Sequence, residues 1–116
     1  MTGVTGTATA GTAGNVEAMI IAFSVAPTVT GTPDAEMSAA VAEAVRIVRD
    51  SGLPNETNAM FTLVEGEWDE VMDVVRRATE AVCAVSPRVS LVLKADIRPG
   101  YPDQLHQKVE SLEKHF

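Results

Sequence analysis

Between residues 61 and 72 the hydrophobic period of the chain changes from two residues to about 3.6 with no loop between. Phe61-Thr62-Leu63-Val64-Glu65 is the β-branched, apolar run that a strand requires. Gly66 ends it, and Glu67, Asp69 and Glu70 follow at once. Carboxylates suit the positive end of a helix dipole. Val71, Val74, Val75, Ala78, Val82 and Val85 then form one apolar stripe, with Glu70, Asp73, Arg76, Arg77 and Glu80 largely outside it. A strand delivered straight into an amphipathic helix restricts the chain to layered α and β structure.

The rest of the chain repeats that unit. Residues 18–27 alternate Met19, Ile21, Phe23 and Val25 with Ile20, Ala22, Ser24 and Ala26, so both faces of this strand are fairly apolar. After a loop over residues 28–32, Thr32-Pro33 opens a helix with Asp34 and Glu36 in its first turn. Met37, Val41, Ala44, Val45 and Val48 are its stripe, and Gly52 and Pro54 end it. Residues 55–59 are short and polar, as in an edge strand, and form a hairpin with residues 61–65. Ser86-Pro87 closes the second helix. In residues 88–98, Val89, Leu91, Leu93, Ala95 and Ile97 alternate with a mostly polar set, which predicts a strand with one core face. Pro99-Gly100 is a turn, and a last helix from Pro102 carries a thin stripe of Leu105, Val109, Leu112 and Phe116. That helix is expected on the sheet margin or on a neighbouring subunit.

The order βαββαβ plus a C-terminal helix predicts an α+β fold, a ferredoxin-like split βαβ plait. Right-handed crossovers put both main helices on one face of a four-stranded antiparallel sheet. The other face, carrying Ile20, Ala22, Ser24, Phe61, Leu63, Glu65, Ser90, Val92, Lys94 and Asp96, is expected to be bare and to serve as an interface or ligand site. Residues 18–116 make a single domain. Residues 1–17, nearly all Thr, Gly, Ala and Val, read as a flexible low-complexity tail, with an extra edge strand as the rival.

A net charge of -7 argues against nucleic acid as a partner. No apolar run reaches the roughly 20 residues of a membrane helix, and no basic N-terminal segment marks a secretory signal. Cys83 is the single cysteine, which excludes an intrachain disulfide. The cytoplasm is the expected compartment. No phosphate loop, dinucleotide fingerprint, nucleophile elbow or metal-ligand spacing is present, so neither a cofactor nor catalysis is expected. His106 and His115 are expected to be solvated, and Cys83 to be a buried, inert thiol.

The remaining candidates lie on the bare face. Glu65, at a strand end, can meet a cation or an amino group. Lys94 and Asp96 either pair with one another or form a polar rim. Phe61 is a stacking platform for a flat heterocycle or a subunit contact. Trp68 and Tyr101 read as packing residues. The Thr30-Gly31-Thr32 loop can cap its helix or take an anion.

Leu63-Val64-Glu65-Gly66-Glu67-Trp68-Asp69-Glu70-Val71-Met72 resembles the signature of the small thiamine-binding protein family. Ser24-Val25-Ala26-Pro27 with Gly31-Thr32, then Lys94-Ala95-Asp96-Ile97-Arg98, then Lys108-Val109-Glu110-Ser111, resemble the family's other segments in order. The chain departs from the family at Phe61, where relatives carry a small or polar residue. The resemblance implies a ferredoxin-like fold assembled into homodimers or homotetramers through the sheet. It also implies non-catalytic binding of thiamine or its hydroxymethylpyrimidine half. On that resemblance Ser24, Thr62 and Asp96 would hydrogen-bond the ligand and Glu65 would meet its amino group or charge, with Lys94 at the rim; Phe61, the departing position, would either stack on the ligand or fill the pocket. Thr62 enters on the resemblance alone, and its side chain can instead face the helices. The alternative is a structural or regulatory oligomerisation module with no small ligand.

Overall fold

The computed structural model describes residues 19–28, 33–101 and 103–116. The tail assigned to residues 1–17 and the Thr30-Gly31-Thr32 loop lie outside them. The elements run β1 (Met19–Pro27), α1 (Pro33–Asp50), β2 (Asn55–Thr57), β3 (Thr62–Gly66), α2 (Trp68–Cys83), β4 (Val89–Ile97) and α3 (Gln104–Glu113). The strands form one antiparallel sheet in the order β2-β3-β1-β4, the split βαβ plait that the periodicities predict.

Period-two alternation decides which residues enter the core. Met19, Ile21, Phe23 and Val25 of β1 are buried, together with Val64 of β3. The helices close over them with Ala40, Ala44 and Val48 from α1 and Val71, Val74, Val75, Ala78 and Val82 from α2. Burying each large aliphatic side chain contributes about 1.5–3 kcal/mol. α1 ends where Ser51 Oγ donates to the Val48 carbonyl at 2.6 Å and accepts the Leu53 N–H at 3.1 Å. Gly52 follows α1 at φ 84°, a left-handed conformation that reverses the chain without a Cβ penalty. At the strand-to-helix junction the Glu70 carboxylate accepts the Glu67 N–H at 3.2 Å, so this acid satisfies the start of α2.

Several expectations need correction. The second face of the sheet is not wholly bare, because α3 packs across one end of it. Leu91, Leu93, Ala95 and Ile97 of β4 point to the helix side but stay exposed, since β4 is the sheet edge and the helices centre over β1 and β3. Val41 is 38% exposed and Ala40 takes its place in the core. Val85, Trp68 and Tyr101 are also exposed, and Tyr101 carries the Arg98 guanidinium 3.7 Å above its ring. Cys83 is exposed at the last position of α2, beyond the turn that faces the sheet, and so is not a buried thiol. Along α3, Leu105 is buried while Val109, Leu112 and Phe116 are exposed.

Candidate ligand-binding site

β1 is longer than β3, and the mismatch creates a slot. The β1–β3 ladder stops at the pair Phe23↔Thr62, whereas β1 continues to Pro27 with β4 on its other side. The Asn58 side chain fixes where β3 begins. Its Oδ1 accepts the N–H groups of Met60 and Phe61, both at 2.8 Å, and the Asn58 backbone N–H donates to the Phe61 carbonyl at 3.0 Å. This tight hairpin turns the chain away from β1 before it can pair with the residues beyond Phe23.

The slot that remains has a volume of about 190 Å³. Phe61, Met60 and Ala59 line it from the hairpin, Val41, Ala44 and Val45 from α1, and Ser24, Val25 and Ala26 from β1. Val25 has a particular place. Phe61 and Asn58 exchange a bond within the β2–β3 hairpin, so Thr62 and Val64 turn their backbone groups to β1, where they meet Phe23 and Ile21. By the same alternation the N–H and C=O of Val25 point toward β3's side, past its first residue, and Val25 lines the slot. The slot thus combines apolar walls with a backbone donor and acceptor on a strand edge, a combination suited to holding a flat polar ring.

The candidates named from sequence divide between two ends of the sheet. Ser24, Phe61 and Thr62 line the slot. Thr62 is buried opposite Phe23, so its side chain faces the helices. Glu65, Lys94 and Asp96 lie further along, opposite Ile20 and Ala22 of β1. Four residues of strand separate Ser24 from Ile20, or about 13 Å.

At that second end Glu65 and Asp96 serve α3. Glu65 is 5% exposed, and its carboxylate accepts the N–H of Gln104 at 2.6 Å and of Leu105 at 3.2 Å. It therefore satisfies the first turn of α3 at the positive end of the helix dipole. Asp96 bonds the Lys108 ammonium of α3 rather than pairing with Lys94, and that bond holds its carboxyl below its ordinary value. His106 approaches Glu56 of β2 at 3.7 Å, and both are exposed.

Sequence reasoning did not find Val25, Val41, Ala44, Val45 or Met60 as slot residues. The available signal was the unequal length of the first and third strands, which leaves part of β1 without a neighbour.

A four-stranded antiparallel plait with both main helices on one face belongs to the ferredoxin-like α+β class. The model of the thiamine-binding protein family matches residues 21–113, and the chain belongs to that family. A UPF0045 protein of Mycobacterium bovis is 54% identical over 99 residues, covering 84% of this chain and 94% of that one. A UPF0045 protein of Methanothermobacter thermautotrophicus is 40% identical over 86 residues, covering 72% and 87%. Among solved structures, a domain of unknown function, DUF77, from Bacillus cereus superposes with a TM-score of 0.73 at 32% identity, covering 86% of this chain and 94% of that one. A Thermotoga maritima protein described as a candidate for thiamine biosynthesis or salvage superposes with a TM-score of 0.66 at 23% identity, covering 85% and 99%, and supports the fold.

Proposed function

We propose that this protein is a non-catalytic cytoplasmic binder of thiamine or its hydroxymethylpyrimidine half, working as a homo-oligomer. The observation that carries this reading is the slot where β1 outruns β3. Family membership supports the ligand class, and the slot supports where the ligand goes. A volume of about 190 Å³ suits a single ring, below the roughly 300–1,000 Å³ of pockets for larger ligands. The aminopyrimidine enters the slot, between the Phe61 ring and the aliphatic side chains of α1. The backbone edge of Val25 and the hydroxyls of Ser24 and Thr62 meet its ring nitrogens and amino group. The cationic thiazolium of intact thiamine remains toward solvent, where a net charge of -7 favours it. Glu65 and Asp96 hold α3 in this reading and do not touch the ligand.

Titration calorimetry with hydroxymethylpyrimidine and with thiamine tests the proposal. Both should bind, and Val41→Trp, which fills the slot mouth from an exposed position, should abolish the heat while leaving the circular dichroism unchanged. Binding that survives Val41→Trp but disappears in Lys94→Ala would move the site to the other end of the sheet. The absence of heat at millimolar ligand with folded protein would refute the function.

A further inference from the structure

The slot stays open only while the hairpin keeps Met60 from Val25. In the β1–β3 register Phe23 faces Thr62, so a continued ladder would set Ser24 opposite Phe61 and Val25 opposite Met60. Parity makes the last of these a hydrogen-bonding pair. Thr62 and Val64 turn their backbone groups to β1, and Met60 is the next residue of the same parity. A ladder carried on to that pair would send the Met60 N–H to the Val25 carbonyl and the Val25 N–H to the Met60 carbonyl. Both residues line the slot, and their pairing would close it.

The Met60 N–H is engaged elsewhere. Asn58 Oδ1 accepts it at 2.8 Å and accepts the Phe61 N–H at 2.8 Å, while the Asn58 backbone N–H donates to the Phe61 carbonyl at 3.0 Å. Local side-chain bonds of this kind compete with strand pairing. The turn holds three bonds, and the Asn58 side chain is the acceptor in two of them. The rival ladder gains only the two bonds that Met60 and Val25 would exchange. With the side chain present the turn is the better satisfied arrangement; without it the ladder is. We propose that Asn58 is the positioning residue of the slot: its Oδ1 withholds the Met60 N–H from Val25 and so leaves the Val25 edge to a ligand. A ring bound there takes the donor and acceptor that Met60 would otherwise occupy. Asn58 is exposed and stands outside the buried core, so it acts through the turn and not through packing. Its role toward a ligand rests on the function proposed above; the choice between turn and ladder does not.

Asn58→Ala and Asn58→Asp test it together, because a carboxylate keeps the acceptor oxygen that alanine removes. NMR reads the choice directly. In the wild type the Val25 amide should exchange faster than that of Phe23, and no through-hydrogen-bond coupling should join the Met60 N–H to the Val25 carbonyl. In Asn58→Ala that coupling should appear, and the Val25 amide should exchange about tenfold slower, the weight of one backbone hydrogen bond. Calorimetry with hydroxymethylpyrimidine should show affinity lowered about tenfold in the same variant, since the closed ladder competes with the ligand. Asn58→Asp should match the wild type in all three readings. The Ile21 and Val64 amides should keep their rates in both variants, which reports an intact sheet. The expected change at Val25, together with a wild type that gives no heat with hydroxymethylpyrimidine, would support the part played by Asn58 and refute the proposed ligand. Unchanged Val25 exchange in Asn58→Ala, an Asn58→Asp variant that behaves as Asn58→Ala does, or full affinity in a variant whose Val25 amide has slowed would overturn the proposal.

Discussion

Removing the Glu65 carboxylate should release α3 and leave the core in place. α3 has 10 residues, fewer than the roughly 12–15 that an isolated helix needs to be even marginally stable in water. Its order therefore depends on docking, through the buried Leu105, the Lys108–Asp96 contact and the Glu65 carboxylate at its N-terminus. Glu65→Ala takes the acceptor from the part-buried N–H of Gln104 and the buried N–H of Leu105, at a cost of about 1–3 kcal/mol. It also removes a charge–dipole attraction of about 0.3–1 kcal/mol. Taking about 2 kcal/mol as the net, the docking equilibrium of α3 should weaken about 30-fold. Native-state hydrogen exchange can resolve this by residue. Amides of α3 from Lys108 to Leu112 should exchange about 30-fold faster, and those of Ile21 and Val64 should keep their rates. Glu65→Gln, which keeps a neutral acceptor, should show a smaller effect in the same residues. Unchanged exchange in α3 would show that Glu65 does not anchor it. Equal acceleration in α3 and the core would show that the helix and the plait unfold as one unit. Either result would refute this account.

Other perturbations have definite signs. Ile21→Ala empties a fully buried position in the central strand and should cost about 2–5 kcal/mol in urea unfolding. Gly66→Ala puts a Cβ 3.3 Å from both Glu70 Oε1 and Val71 Cγ2. It should push Glu70 off the Glu67 N–H and lower stability by about 0.5–2 kcal/mol, the range for lost caps, seen as a lower midpoint of thermal unfolding. The Asp96 carboxyl titrates below its ordinary value because Lys108 bonds the charged form. Its contribution is therefore fully present above the unfolded-state value of about 3.9 and is lost as pH falls through the lower folded-state value. NMR titration should place the Asp96 midpoint below that of a free aspartate and restore it in Lys108→Met, with no change in this contact between pH 5 and 8.

The plait was legible because its core obeys simple periods. Met19, Ile21, Phe23 and Val25 lie two apart, and Val71, Val74, Val75, Ala78 and Val82 lie on one helical face; all are buried. The candidate site was less legible because its parts come from different levels of structure. Phe61 and Ser24 could be named from residue type and parity. Val25 could not, since its contribution is backbone freed by the early end of β3. Glu65 has ligand-binding chemistry, but its partners are N–H groups nearly forty residues away in sequence, at 2.6 and 3.2 Å. No local pattern announces such a contact. The exposure of Leu91 and Leu93 was hidden for a related reason: alternation reports which face a residue takes, not whether a helix reaches far enough to cover it.

The early turn of the hairpin has a consequence for how such a domain can vary. Among the described residues the slot is bounded by the hairpin and α1, and its size follows from the residues that β3 lacks beside β1. Extending the hairpin by one further residue on each side of Asn58–Phe61 would carry the β3 ladder toward Val25 and occupy its free backbone groups. Shortening it would lay bare more of β1. Under the proposed function, hairpin length acts as a ruler for the ligand that the sheet can admit, and it can change without disturbing Ile21, Val64 or the helices packed upon them. Loop insertions, which surface hairpins tolerate well, would in this architecture alter specificity rather than stability.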